Sequence, residues 1–139
     1  MATTVRAQIS EKNKYYIDKH RHYELKHYCL QYPRWKKAYV ECLDRDIPMA
    51  MVDGARHHDG LYNPTSTRSI TRDYYSSKID MLERVAKDAD KYLWQYILKA
   101  VTEGLSYTYL RTKLGIPCGK DMYYDRYRRF FWLLSEIRD

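Results

Sequence analysis

Apolar residues recur every three or four positions along most of the chain, which is the spacing of amphipathic helices. Residues 13–31 contain neither glycine nor proline, so they predict one long helix that ends before Pro33. A second amphipathic helix is predicted over residues 33–44. The apolar residues expected to face inward are Tyr16, Tyr23, Leu25, Tyr28, Cys29 and Tyr32 in the first helix and Trp35, Ala38, Tyr39 and Cys42 in the second.

The next segment, residues 45–66, interrupts this pattern. It reads RDIPMAMVDGARHHDGLYNPTS and holds two prolines and two glycines, which predicts a long irregular loop or hinge. Loops of this length are often functional or mobile. A short strand or helical turn around residues 49–52 is equally compatible with the sequence.

Helical spacing resumes at residues 65–88, and Thr65 or Thr67 is the predicted N-terminal cap of this helix. A further helix is predicted over residues 91–103, with Asp90 as its N-terminal cap and Gly104 at its C-terminal end. No alternating strand pattern of useful length occurs. The sequence therefore predicts an all-α fold of about six helices without an internal repeat. The predicted inward residues are Ile70, Tyr74, Ile79, Leu82, Val85 and Ala86 in the first of these helices and Leu93, Trp94, Ile97, Ala100 and Val101 in the second.

The last third of the chain predicts a helix-turn-helix. Ser106 can cap a short helix over residues 106–114 that ends at Gly115, and a helix over residues 120–137 follows the connection IPCG. Together with residues 91–103, this is the order of elements in which a short helix crosses the DNA backbone and the next helix enters the major groove.

The long helix at residues 120–137 is predicted to have two faces. Its outward side chains suit nucleic acid, because Lys and Arg bind phosphate, Asp accepts from cytosine, and Tyr stacks and donates. The other interpretation is a charged helix face exposed to solvent. The predicted inward residues are Tyr123, Tyr127, Phe130, Leu134 and Ile137, widened by Phe131 and Leu133. The predicted outward residues are Lys120, Asp121, Tyr124, Asp125 and Arg128, with Arg129 near the edge.

Composition supports a compact protein that attracts polyanions. The 139 residues are 45% hydrophobic and carry a formal charge of +7, which favours nucleic acid as partner, with an anionic membrane surface as competitor. Sixteen tyrosines suit half-buried positions and binding surfaces. Three cysteines without a CxxC pair indicate a reducing compartment. No apolar run is long enough to span a bilayer, so we expect a soluble, cytoplasmic protein without a membrane partner.

The sequence does not predict an enzyme, a cofactor or a metal site. His20, His22 and His27 are spaced by 2, 5 and 7 residues, which does not match the i, i+3 or i, i+4 spacing of ligands on one helix. We expect these histidines to be exposed or to face phosphate. Neither a P-loop nor a GxSxG or HExxH motif occurs.

The segment AVTEGLSYTYLRTKLGIPCGKDMYYDRYRRFFWLLSE resembles the C-terminal part of phage-encoded transcriptional regulators of the RinA/ArpU type. These proteins of Gram-positive prophages activate late or packaging genes and carry a domain similar to sigma factor region 4. The segments KHRHYELKHYCLQYPRWKKA and NPTSTRSITRDYYSSKIDMLERVAKDAD resemble the helical N-terminal portion of that group. The similarity extends loosely over residues 15–137 and is specific mainly in residues 100–134.

This resemblance implies a late-gene activator-like protein that reads double-stranded DNA. Residues 1–64 would form an N-terminal helical segment with the long loop, and residues 65–139 a helical linker with the DNA-binding unit. The N-terminal helices are expected to form a homodimer or to contact RNA polymerase. The candidate DNA-binding residues are Ser106, Tyr107, Arg111 and Lys113 in the supporting helix and Lys120, Asp121, Tyr124, Arg128 and Arg129 in the recognition helix.

Two other functions fit the same sequence. A phage protein that inhibits a host nucleoprotein by direct contact would explain the many tyrosines, because aromatic residues and arginine dominate binding hot spots. A small terminase subunit would also be basic and helical, and it would form rings in solution.

Overall fold

The computed structural model describes residues 11–44 and 64–138, and it confirms the all-α prediction: no strand occurs in these two ranges. Most helices begin and end within three residues of the predicted positions. They are α1 (Lys19–Cys29), α2 (Tyr32–Asp44), α3 (Pro64–Ala89), α4 (Trp94–Glu103), α5 (Tyr107–Lys113) and α6 (Lys120–Ile137). None of these described helices is both long and apolar enough to cross a membrane.

The predicted start of the first helix at residue 13 is wrong. The side chain of Asn13 accepts a hydrogen bond from the backbone N–H of Tyr15 at 2.8 Å, which holds the chain in a turn. Asp18 then caps α1, since its carboxylate accepts from the backbone N–H of His20 at 2.9 Å. Asn and Asp favour such local bonds over the helix interior, and this is why α1 begins only at Lys19.

The predicted inward face of α1 is confirmed for Leu25, Tyr28 and Cys29, and it differs from the prediction at two other residues. Its buried residues include His22, Leu25 and Cys29, spaced i, i+3 and i+7. Tyr23, predicted to face inward, is exposed, and the expectation that the three histidines are exposed or face phosphate is wrong for His22. The stripe follows helical geometry from Lys19 onward, and it includes one histidine in place of an apolar residue.

The predicted loop at residues 45–66 lies outside the described residues except at its end. Pro64 begins α3, so residues 64–66 are helical, contrary to the prediction, and Thr65 and Thr67 lie inside the helix and do not cap it. Proline suits the first turn of a helix because its nitrogen needs no hydrogen-bond partner there and its φ is already helical.

Contacts divide the chain into two compact units, one of residues up to 33 and from 81 onward, and one of residues 34–80. In the larger unit α1 packs on α4 and α6, and α4 packs on α5 and α6. Its fully buried side chains come from these helices, from the last part of α3 and from the α5–α6 connection, and they form an apolar core. They include Leu25, Leu82, Ile97, Leu110, Ile116, Tyr123, Phe130, Phe131 and Leu134.

The inward face of α6 is confirmed for Tyr123, Tyr127, Phe130 and Leu134, but Ile137 is 50% exposed. The end of α6 is held by polar bonds. The guanidinium of Arg21 in α1 donates to the backbone carbonyl of Ser135 at 3.2 Å and to that of Arg138. Arg21 also pairs with Glu24 at 2.7 Å.

In the smaller unit, Trp35 and Ile79 are buried, and the ammonium group of Lys78 lies 5.3 Å from the centroid of the Trp35 ring. The predicted burial of Ile70 and Tyr74 is wrong, because both are exposed. The same ammonium lies 4.7 Å from the Tyr74 ring, so this tyrosine borders solvent and a cation. The apolar spacing of α3 therefore extends beyond the part of the helix that is buried.

Candidate nucleic-acid interface

The α4–α5 junction is fixed by short-range backbone chemistry. Gly104 ends α4 with a φ of 70°, a left-handed conformation that glycine adopts without strain. The hydroxyl of Ser106 then accepts a hydrogen bond from the backbone N–H of Tyr109 at 3.1 Å and caps α5. Ser106 is buried, so this candidate site residue positions α5 and does not present its hydroxyl to a ligand.

The connection between α5 and α6 is held against α5 by hydrogen bonds. Gly115 takes a φ of 66°, and the backbone N–H of Ile116 donates to the carbonyl of Leu110 at 3.0 Å. The Tyr107 hydroxyl donates to the carbonyl of Cys118 at 2.7 Å. These bonds fix the direction in which the chain enters α6 at Lys120, with Gly119 as its N-terminal cap residue.

The first three turns of α6 carry a cation–aromatic ladder, which we define as Lys120, Tyr124 and Arg128. The Lys120 ammonium lies 5.9 Å and the Arg128 guanidinium carbon 6.0 Å from the centroid of the Tyr124 ring. Residues spaced i, i+4 and i+8 share one flank of a helix. Tyr107 of α5 contacts the same ring, with centroids 6.3 Å apart. The structure thus brings four of the candidate residues together.

The cations of this ladder have no carboxylate partner in the described part of the chain. Lys120 is exposed and Arg128 is half-buried, and within residues 11–42 and 69–138 neither makes an ion pair. The Nε of Arg128 is also buried without a hydrogen-bond partner there. This flank of α6 therefore carries two cations without a carboxylate partner among the described residues, and one of them has a buried donor without a partner.

On another flank of α6 the arginines are bonded within the fold. Arg126 pairs with Asp90 at 3.0 Å and with Asp125 at 2.8 Å. Arg129 donates to the backbone carbonyl of Asp88 at 3.3 Å and to the Tyr15 hydroxyl at 3.3 Å. The structure thus places the candidate residue Arg129 away from the ladder, in bonds to other parts of the fold.

Asp90 connects Arg126 of α6 to the turn that precedes α4. Its carboxylate accepts from the backbone N–H groups of Tyr92 and Leu93, each at 2.8 Å. Burial alone would raise the pKa of Asp90, but these two bonds and the Arg126 guanidinium hold the pKa below its usual value. The prediction that Asp90 caps the helix is wrong, because α4 begins only at Trp94 with Leu93 at its N-cap position, and Asp90 caps the turn before it.

The remaining candidates lie on the surface around the connection. Arg111 is exposed and donates weakly to the carbonyl of Ile116 at 3.4 Å. Lys113, at the end of α5, and Asp121, in the first turn of α6, are both exposed. The side chains described here contain no cluster of histidine, cysteine, aspartate or glutamate that could hold a metal ion.

Lys26 in α1 also belongs to this surface, and the basic patch that it forms with KHRH in the sequence fits either a contact to the nucleic-acid backbone or a solvated helix face. Lys26 is half-buried, and it lines a small pocket together with Tyr107 and Tyr124. Its presence in a basic stretch of the first helix was visible in the sequence. Its position beside α6 was not, because that depends on how α1 packs against α6. No family model, no curated protein and no solved structure matches this chain.

Proposed function

We propose that this chain is a DNA-binding transcriptional regulator, of the late-gene activator kind found in phages, that reads duplex DNA with α5 and α6. The observation that carries the proposal is the difference between the flanks of α6. Arg126 and Arg129 are bonded within the fold, whereas Lys120 and Arg128 have no carboxylate partner among the described residues. Cations that a fold leaves unpaired are available for phosphates.

The geometry of the three C-terminal helices fits this role. In a helix-turn-helix the N-terminal part of the second helix reaches the base edges, and the ladder occupies the first turns of α6. The exposed carboxylate of Asp121 beside it can accept from cytosine, and Lys120 can donate to guanine or phosphate. The exposed Thr108 of α5 adds a hydroxyl donor for a backbone phosphate.

The proposal is tested by measuring affinity for duplex DNA as a function of salt. A protein that binds through phosphates loses affinity steeply as salt rises. Lys120→Ala and Arg128→Ala should each weaken binding several-fold and flatten this dependence by about one unit of slope. Lys99→Ala is the matched control, because Lys99 is an exposed lysine that is already paired with Glu103 at 3.0 Å, so it should bind as the wild type does.

Specific reading is tested by selecting bound sequences from a DNA library. The wild type should enrich a motif, and Asp121→Ala should change the preferred bases while leaving non-specific affinity nearly intact. Absence of duplex binding at low salt, or equal binding by Lys120→Ala, Arg128→Ala and the control, would refute the proposal. RNA polymerase and a second copy of the chain remain the expected partners of the N-terminal helices.

A further inference from the structure

A small pocket opens between α1, the α4–α5 junction and α6. Its wall includes Lys26 of α1, Gly104 at the junction, Tyr107 of α5, and Tyr123 and Tyr124 of α6. The cavity volume is about 10 Å³, which is room for one water-sized group. All of these residues belong to the larger compact unit.

One wall residue is a buried donor without a partner. Tyr123 is 1% exposed, and its hydroxyl makes no hydrogen bond to any described residue. A buried hydroxyl costs free energy unless an oxygen or nitrogen lies within bonding distance. The Tyr123 ring packs against the ring of Tyr107, with centroids 5.5 Å apart. The pocket wall therefore has an unfilled hydrogen-bonding position.

The pocket is also positively charged. Lys26 is half-buried, and it makes no ion pair with the residues that the structure describes. The ladder cations Lys120 and Arg128 lie 5.9 Å and 6.0 Å from the centroid of the Tyr124 ring, which is part of the wall. Among the described side chains that line the pocket, none is a carboxylate. One cation thus lines the pocket, and two more lie beside an aromatic ring of its wall.

We infer that the mouth of this pocket binds one phosphate group of the DNA backbone, with Lys26 as a clamp supplied by α1. This inference rests on the proposed function. Phosphate offers several acceptor oxygens to donors from different directions. Lys26 would donate from the pocket wall and Lys120 and Arg128 from beside the Tyr124 ring, and Tyr123 of the same wall carries a buried hydroxyl without a partner among the described residues. The DNA-binding unit then consists of α1 together with α4, α5 and α6.

The test compares the salt dependence of binding to a 20-base-pair duplex between variants. Losing one phosphate contact reduces the slope of log affinity against log salt by about 0.9, equivalent to about tenfold in affinity at 0.1 M salt. We expect this loss for Lys26→Met and wild-type behaviour for Lys26→Arg, which keeps the charge. Lys91→Met removes an exposed lysine from the α3–α4 turn, away from the pocket, and is the matched control.

If Lys26→Met keeps the wild-type slope and affinity while the wild type binds duplex DNA, the inference is overturned and the proposed function stands. If the wild type binds no duplex DNA, the proposed function fails. Inorganic pyrophosphate then decides whether the pocket is an anion site. Shifts of the Tyr107 and Tyr124 ring resonances that disappear in Lys26→Met would support a site for free phosphate groups, and unchanged resonances would overturn it.

Discussion

His22 makes the stability of this protein sensitive to mild acid. The side chain is 4% exposed, its ring centroid lies 4.8 Å from that of Phe131, and its Nε2 has no hydrogen-bond partner among the described residues. Burial, and after it the positive charge of Lys26, lower the pKa of His22 from 6.5 to about 4. The folded protein therefore holds this imidazole neutral at pH values where the unfolded chain protonates it.

The sign and size of the effect follow from these two pKa values. Between pH 6.5 and about 4, the unfolded state binds more protons than the folded state, so acid lowers the free energy of unfolding. The loss through this group is about 2 kcal/mol between pH 7 and pH 5, and it approaches about 3 kcal/mol below pH 4. It is absent above the unfolded pKa of 6.5.

The perturbation is His22→Phe, which keeps an aromatic ring beside Phe131 but removes the titrating group. Urea unfolding, followed by circular dichroism at pH 5 and pH 7, measures the free energy of unfolding at each pH. We expect the wild type to lose about 2 kcal/mol more than the variant between these conditions. His20→Gln, which removes an exposed histidine of the same helix, should retain the wild-type loss.

An equal pH 5 to pH 7 difference in the wild type and His22→Phe would refute the reasoning. So would an imidazole proton resonance of His22 that titrates in the folded protein near its ordinary value of 6.5. Titration of the Asp90 carboxylate does not contribute to the difference in the free energy of unfolding between pH 5 and pH 7. Its pKa in the folded protein lies below its usual 3.8, so the stability it contributes is lost only as the pH falls through that lower range, outside the window of His22.

Three further predictions concern the larger unit and are measured by urea unfolding at pH 7. Arg21→Ala removes the bonds to the end of α6 and should lower the free energy of unfolding by about 2 kcal/mol, with Arg21→Lys in between. Gly104→Ala should lower the free energy of unfolding by about 1 kcal/mol, because an alanine is strained at the φ of 70° that this residue adopts. Steric overlap does not contribute, since the atom nearest to the added Cβ, Leu30 Cδ2, would lie 3.8 Å away. An unchanged free energy of unfolding would contradict the left-handed conformation of Gly104. Lys26→Met should raise the free energy of unfolding by about 0.5 kcal/mol. Arg126→Met removes the ion-pair partner of Asp90 and should lower the free energy of unfolding by about 1 kcal/mol. A change of the same sign in both variants would show that ion pairing with a carboxylate does not distinguish Lys26 from Arg126.

The fold of the last third could be predicted because its boundaries are set by local chemistry. Ser106 caps α5, Gly104 and Gly115 adopt left-handed conformations, and α6 begins at Lys120. Each of these features depends on residues within a few positions of one another. The wrong start of α1 has the same origin, since Asp18 is a local cap that the apolar spacing alone did not reveal.

The faces of the helices were harder to predict, because they depend on neighbours distant in sequence. Arg129 lies next to Arg128 in the chain, but its partners are the Asp88 carbonyl and the Tyr15 hydroxyl. Lys26 lies nearly a hundred residues before Tyr124, with which it shares a pocket. A hydrophobic pattern gives the period of each helix, but it does not show which charged side chains find a partner.

The distribution of charge pairs around α6 connects stability to the proposed function. A half-buried cation loses part of its hydration, and without a partner this loss is not offset. The fold provides partners for Arg126 from Asp90 and Asp125, so the same helix is capable of satisfying its charges. On the ladder flank Arg128 is half-buried beside the Tyr124 ring and has no carboxylate partner among the described residues, and Lys26 lines a pocket together with Tyr124. The arrangement is unfavourable for the free protein and favourable for a complex with an anion, because the anion supplies the missing partner. Under the proposed function, the features of Arg128 and Lys26 that favour DNA binding lower the stability of the free protein. A substitution that stabilises the free protein at either residue is therefore expected to weaken DNA binding.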